Sequence, residues 1–194
     1  MEALRGLGYS TAAALADIVD NSVSAGAGEV RIEFAWAGRA SRVSVLDDGR
    51  GMDDAELESA MTLGDRSPLD DRATDDLGRF GMGLKTASFS QCRRLTVASV
   101  REGETPCCLR WDLDALAARP KDGWLLFEGP AAGSEPFFEP LSGRSRGTLV
   151  LWEALDRVVT DGFTTDDFAD LIDGVDARLA MVFHRLLQGP CPTL

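Results

Sequence analysis

The reading of this chain turns on "ALADIVDNSVSAGA", residues 14–27. Its apolar residues recur at helical spacing, Ser10 or Thr11 stands where an N-cap belongs, and Gly26 stands where a helix stops. A helix is therefore placed over residues 10–25. Asp17, Asn21 and Ser24 fall along the stripe expected to be buried, and residues four apart share a helical face. A carboxylate and an amide turned inward need a reason other than packing.

Beyond this helix, "EVRIEFAWAG" and "SRVSVLDDG" alternate apolar and polar residues and read as two strands joined by a turn near Gly38. Asp53 can cap a short helix over "DAELESAMTLG". "DRSPLDDRATDDLGRFG" has no periodicity and many turn formers, so it reads as a long loop. Loops of that length inside a compact domain are usually functional, lids among them. A helix at "MGLKTASFS" is followed by strands at "RRLTVASV", "PCCLRWDL" and "WLLFEG". Residues 129–147 form a Gly/Pro-rich excursion, and "GTLVLWEAL" is a further strand. Over residues 166–187, Phe168, Leu171, Ile172, Val175, Leu179, Val182, Phe183 and Leu186 keep helical spacing, which predicts a closing helix with Gly174 as a break point. The elements do not alternate strictly. They predict an α+β two-layer sandwich, a mixed and mainly antiparallel sheet with helices on one face, as a single domain over residues 1–194.

Composition narrows the function. Of 194 residues 44% are hydrophobic, enough for a core, and no apolar run reaches membrane-span length, so a cytoplasmic protein is expected. A net charge of −12 argues against direct nucleic-acid binding by this segment. Arg66, Arg72, Arg79 and Lys85 form a local basic cluster, either surface ion pairs or a place for an anion. Cys92, Cys107, Cys108 and Cys191 include no C-x-x-C pair, so buried free thiols are expected. The single histidine, His184, excludes a histidine metal cluster and reads as a partly buried structural imidazole. Any metal must then use oxygen ligands.

Two glycine loops carry the candidate chemistry. "LDDGRGMD", residues 46–53, ends a strand with Asp47, Gly49 and Gly51 in a D-x-G-x-G arrangement that by itself reads as a connector. "GRFGMG", residues 78–83, opens a helix whose N-terminus can face an anion. It is neither the dinucleotide G-x-G-x-x-G nor a P-loop.

Taken in order, "DIVDNS", "DDGRGM", "GRFGMGLKTAS" and "RGT" (residues 146–148) resemble the GHKL ATPase superfamily, named for gyrase, the heat-shock chaperone, histidine kinases and MutL. "ALADIVDNS" and "GRFGMGLKTASFS" look most like its bacterial stand-alone ATP-binding proteins allied to the MORC branch. The resemblance implies the Bergerat-type ATP-binding fold. It implies that Asn21 ligates the Mg²⁺ that bridges phosphate oxygens, and that Asp47 accepts a hydrogen bond from the adenine amino group. Ala25, Met52 and Leu84 would line the base pocket, with Gly49 and Gly51 allowing the backbone close to the base and Thr148 reaching adenine directly or through water. Residues 62–83 would be the ATP lid. In it Gly78, Arg79, Phe80, Gly81 and Gly83 would surround the phosphates, and Lys85 would receive phosphate charge.

Asp17 stands where most members of the superfamily carry a glutamate general base, one methylene longer. Asp20 is a possible substitute, and Ser24 replaces an acidic residue of several relatives. The resemblance therefore implies binding of ATP with Mg²⁺ and slow hydrolysis, with lid closure as a conformational switch. A nucleotide-gated interaction module without useful hydrolysis is the alternative, and a histidine kinase catalytic domain a further one. By the same resemblance the chain is expected to be part of a longer protein, monomeric as a fragment and an ATP-dependent dimer at full length.

Overall fold

The computed structural model describes residue 5 and residues 8–62, 83–119 and 125–187. Helix α1 spans Thr11–Ser24, with Ser10 as N-cap accepting from the Ala13 amide, and Gly26 beyond its end at φ +75. Strands β1 (Val30–Ala35) and β2 (Arg42–Asp47) form the expected hairpin, turning at Gly38 with φ +58. Helix α2 (Asp54–Met61) starts in a reciprocal capping box between Asp53 and Glu56. Helix α3 (Gly83–Phe89), β3 (Arg94–Val100), β4 (Cys107–Asp112), α4 (Leu113–Ala118) and the two-residue β5 (Phe127–Glu128) follow. A 3-10 helix, Glu135–Leu141, precedes β6 (Gly147–Glu153), and α5 (Thr165–Val182) and α6 (His184–Leu187) complete the described chain.

The strands form one sheet in the order β1-β2-β6-β3-β4-β5, and every pairing is antiparallel. This is the α+β sandwich expected. The last strand lies between β2 and β3, which aligns Asp47, Thr148, Ser99 and Cys107 in a single cross-strand row. Side chains alternate between sheet faces, so Val43, Val45, Val150, Trp152, Leu95 and Val97 share the face of that row. There they meet Ala14, Leu15 and Ile18 of α1, together with Leu57, Met61 and Phe89. The buried indoles keep their polar edges satisfied. Trp152 Nε1 donates to Ser88 Oγ at 2.8 Å and Trp111 Nε1 to the Met61 carbonyl at 2.9 Å.

Several expectations need correction. The opposite sheet face is not bare: Leu46, Ala98, Val100, Leu149 and Leu151 pack beneath Leu141, Phe137 and Phe138 of the 3-10 helix within the Gly/Pro-rich excursion. Strand β6 is consequently buried along its whole length, which explains its nearly unbroken apolar sequence. "PCCLRWDL" ends earlier than read, because Asp112 caps α4 by accepting from the Asp114 and Ala115 amides. Gly174 does not break the closing helix. α5 runs through it, anchored by Val175 and by Phe168, which sits against the rings of Phe34 and Trp36. Only Phe168 and Val175 of the eight apolar positions are fully buried, and Val182 and Leu186 are exposed. His184 is exposed as well, with Nδ1 3.0 Å from the Met181 carbonyl.

Candidate functional site

Asp47 is the last residue of β2 and is 5% exposed, which a carboxylate tolerates only when hydrogen-bonded. Its Oδ1 accepts from the Gly49 amide at 2.9 Å and the Thr148 amide at 3.2 Å, and its Oδ2 accepts from Ser22 Oγ at 2.8 Å. Burial raises the Asp47 carboxyl above its ordinary value, against the pull of these three hydrogen bonds. Three of about four acceptor positions are occupied, which leaves room for one more donor.

The chain beyond Asp47 is shaped by contacts that only glycine permits. A Cβ on Gly49 would stand 2.9 Å from the Ala25 Cβ and 3.0 Å from Asp47 Oδ1. Gly51 has φ +69, and a Cβ there would come within 1.8 Å of the Val100 carbonyl oxygen. The loop is fastened to α1 through the Arg50 amide, which donates to the Ala25 carbonyl at 3.0 Å. Asp48 holds the other side by accepting from the Gly28 and Glu29 amides at 2.7 and 2.9 Å, and these bonds lower its carboxyl. The expected residues Ala25, Asp47, Gly49, Gly51 and Thr148 thus come together at one end of the sheet.

Met52 joins them through Ser99. The Met52 amide donates to Ser99 Oγ at 2.8 Å, Ser99 Oγ donates to the Gly147 carbonyl at 3.0 Å, and Ser99 Oγ lies 2.9 Å from Thr148 Oγ1. The Cys107 thiol bonds the Met52 and Ser99 carbonyls at 3.5 Å each. Burial pushes this thiol up, and it pushes Cys108 to about 11. Both cysteines, and Cys92, are free thiols as expected, while Cys191 lies outside the described residues.

Helix α1 is rotated from the expected phase. Its buried stripe is Ala14, Leu15, Ile18, Val19 and Ser22, so the inward polar group is Ser22. Asp17 is half-buried, and Asn21 and Ser24 are exposed. Burial raises the Asp17 carboxyl, a hydrogen bond from Tyr9 lowers it, and the charge of Asp20 raises it. Tyr9 is fixed in turn by Gln91, whose Nε2 donates to the Tyr9 carbonyl at 3.0 Å and whose Oε1 accepts from Thr11 Oγ1 at 2.7 Å.

Gly83 and Leu84 begin α3, Leu84 packing on the main core. Lys85 is 2% exposed and its ammonium donates to the Thr62 carbonyl, joining the two ends of the expected lid. Gly78, Arg79, Phe80, Gly81, Arg66 and Arg72 lie outside the described residues.

Sequence reasoning passed over Ser22, Ser99, Gly147, Tyr9 and Gln91. Ser99 was legible as a hydroxyl in register with Leu95 and Val97 on the apolar face of "RRLTVASV". Gly147 is marked by its place in "RGT", where φ is +135 and a Cβ would lie 2.4 Å from the Asp47 carbonyl oxygen. Tyr9 bonds Asp17 and is held from behind by Gln91, a tertiary contact that no local pattern encodes.

The profile of the histidine kinase-, DNA gyrase B-, and HSP90-like ATPase family matches residues 9–148. The DNA mismatch repair protein MutL of Rhodospirillum rubrum is 34% identical over 139 residues, 72% of this chain and 19% of that protein. The MutL of Sphingopyxis alaskensis is 33% identical over 122 residues, 62% of this chain and 19% of its own length. ATPase morc-1 of Caenorhabditis elegans is 31% identical over 90 residues, 46% of this chain and 10% of that protein. The chain spans about a fifth of the length of the MutL relatives it matches.

Proposed function

From the premise that the chain belongs to the histidine kinase-, DNA gyrase B-, and HSP90-like ATPase family, we propose that it binds ATP with Mg²⁺ at the Asp47 end of the sheet and hydrolyses it slowly. The observation that carries this reading is Asp47 itself, a buried carboxylate with three fixed donors and one acceptor position left. A buried acceptor edge of this kind suits the exocyclic amine of adenine. Gly49 keeps the backbone beside Asp47 bare, Gly51 lets the loop close onto the Val100 carbonyl of β3, and Ala25, Met52 and Leu84 supply apolar surface for the base.

The triphosphate is directed toward Asn21 and the start of α3. Among the described residues no group of three or more His, Cys, Asp or Glu side chains could hold a metal. One exposed amide oxygen from Asn21 fits Mg²⁺, which takes few protein ligands and completes its shell with phosphate and water oxygens. Bound there, Mg²⁺ neutralises phosphate charge. Asp17, one helical turn before Asn21, accepts the proton of the attacking water, and Tyr9 holds its carboxylate in place. The assignment of Gly78, Arg79, Phe80, Gly81 and Gly83 to the phosphates belongs to the same proposal, with closure of residues 62–83 as the switch.

Titration calorimetry with ATP, ADP and GTP, with and without Mg²⁺, tests the reading. ATP binding strengthened by Mg²⁺ in the parent and not in Asn21→Ala supports it, and no heat with any adenosine phosphate ends it. Asp17→Ala is expected to lower steady-state hydrolysis by about a hundredfold or more, the usual worth of a general base, with ATP affinity retained. Removing the Tyr9 hydroxyl takes away a donor that lowers the Asp17 carboxyl. The acid limb of the rate profile in Tyr9→Phe therefore moves to higher pH, and an unmoved limb would detach Tyr9 from the base.

A second reading is favoured by Lys85. Its ammonium is buried on the Thr62 carbonyl and so is directed at protein. Held so, the site binds nucleotide as a gated interaction module without useful turnover. Equal background rates in the full-length protein, Asp17→Ala and Asp17→Glu would select this reading. Dimerisation of the full-length protein on ATP binding belongs to either reading and is checked by size-exclusion chromatography with a non-hydrolysable analogue.

A further inference from the structure

Ser99 is fully buried on β3, two strands from Asp47, and the preceding reading gives it no part in nucleotide recognition. Its hydrogen bonds can be counted to completion. A serine hydroxyl has one proton to donate and two lone pairs to accept with. The Gly147 carbonyl at 3.0 Å can only accept, so it takes the Ser99 proton. The Met52 amide at 2.8 Å can only donate, so it fills one lone pair. Thr148 Oγ1 at 2.9 Å faces the remaining lone pair and must donate its own proton to Ser99. The Thr148 hydroxyl is thereby left with lone pairs alone for anything on its other side. Asp47, which already accepts from the Thr148 amide, also offers only lone pairs.

We propose that Ser99 is a specificity-determining positioning residue: by consuming the Thr148 proton it fixes the part of the pocket that meets the purine C6 substituent as acceptor-only. This rests on the adenine site proposed above and adds a second discriminating group to Asp47. An acceptor-only edge welcomes an amine at purine C6 and opposes a carbonyl there. Without Ser99, the Thr148 hydroxyl is free to turn and donate to a C6 carbonyl. The arrangement also explains why a hydroxyl interrupts the apolar run of β3. Met52, Gly147 and Thr148 come from two separate segments, and one side chain registers all three.

The discriminating ligands are ATP and inosine triphosphate, which differ at the C6 substituent and the N1 proton. Calorimetry on the folded protein is expected to show ATP preferred in the parent. In Ser99→Ala the ATP-to-inosine-triphosphate affinity ratio falls about tenfold, the size of one net hydrogen bond. The fall includes a gain for inosine triphosphate, which a loosened fold would not produce. In a Thr148→Val background the Ser99→Ala change no longer alters the ratio, because the proton it controls is gone. A Ser99→Ala protein that melts like the parent and keeps the parent ratio overturns the proposal. Should Ser99→Ala fail to fold, Ser99→Cys, which keeps the volume with a weaker donor and acceptor, is expected to lower the ratio, and an unchanged ratio again overturns it. A parent that binds neither nucleotide would instead remove the adenine reading and the proposal with it.

Discussion

Asp47→Asn is expected to lower ATP affinity on the order of a thousandfold while leaving a folded protein. The binding loss follows from polarity. A site built to hydrogen-bond a polar group discriminates strongly when one partner is inverted, because a buried donor or acceptor is then left without its match. The amide oxygen of asparagine can still accept from the Gly49 and Thr148 amides, as Asp47 Oδ1 does. The NH₂ then lies toward Ser22, whose hydroxyl can reverse its role from donor to acceptor. The internal network survives, and the acceptor position intended for adenine becomes a donor. Calorimetry reads the affinity, and binding at the parent level would remove Asp47 from base recognition.

Stability should move differently. Burial raises the folded-state carboxyl of Asp47, so ionising it is harder in the folded chain than in the unfolded one. Its favourable contribution is therefore complete where the group is protonated, below its unfolded value, and is lost as pH rises through the folded value. Asparagine has no such titration. Thermal melts across that window are expected to show the parent losing ground to Asp47→Asn as pH rises, opposite in sign to a salt-bridged carboxylate. Retaining a charge that the fold would be easier without fits a residue kept for a ligand.

Most of the sheet was legible because the two periods were clean. β1 alternates throughout and β2 alternates through Val45, and Asp53 with Glu56 supplies a local cap. Where packing from a distant segment decided the outcome, the pattern misled. In α1 the helical pattern puts Asp17, Asn21 and Ser24 on the apolar stripe, whereas Ser22 is the polar residue turned inward, because the Asp47 carboxylate offers its hydroxyl a buried partner. In α5 the helical spacing was real, but Gly174 did not interrupt it and few of its apolar residues are buried, since spacing specifies a face and not what covers it. The 3-10 helix was hidden in a Gly/Pro-rich stretch, and its value lies in covering the second sheet face. Site residues in glycine motifs were findable from sequence. Ser99 and Gln91 act through partners about 50 to 80 positions away, and no local period records such pairings.

Among the described glycines, Gly51→Ala is expected to cost the most, and Gly26→Ala is its control. Both glycines have positive φ, +69 and +75, so both replacements carry the conformational penalty of a side chain in the left-handed region, about 1 kcal/mol. They differ in surroundings. At Gly26 an added Cβ meets nothing within 4 Å. At Gly51 it would lie 1.8 Å from the Val100 oxygen, 2.6 Å from the Val100 carbonyl carbon and 3.2 Å from the Arg101 nitrogen. These are backbone atoms at the end of β3, next to the Ser99 hub, and no rotamer change can clear them. Relief requires the loop to lift from the sheet, breaking the Met52 bond to Ser99 and exposing the turn that carries Asp47, Gly49 and Gly51. Urea denaturation should then show Gly26→Ala losing about 1 kcal/mol and Gly51→Ala losing roughly 4 kcal/mol or more, enough to leave little folded protein at ordinary stability. Equal losses in the two variants would mean that the close approach of this loop to β3 is not a feature of the folded chain, and the geometry on which the base pocket is built would go with it.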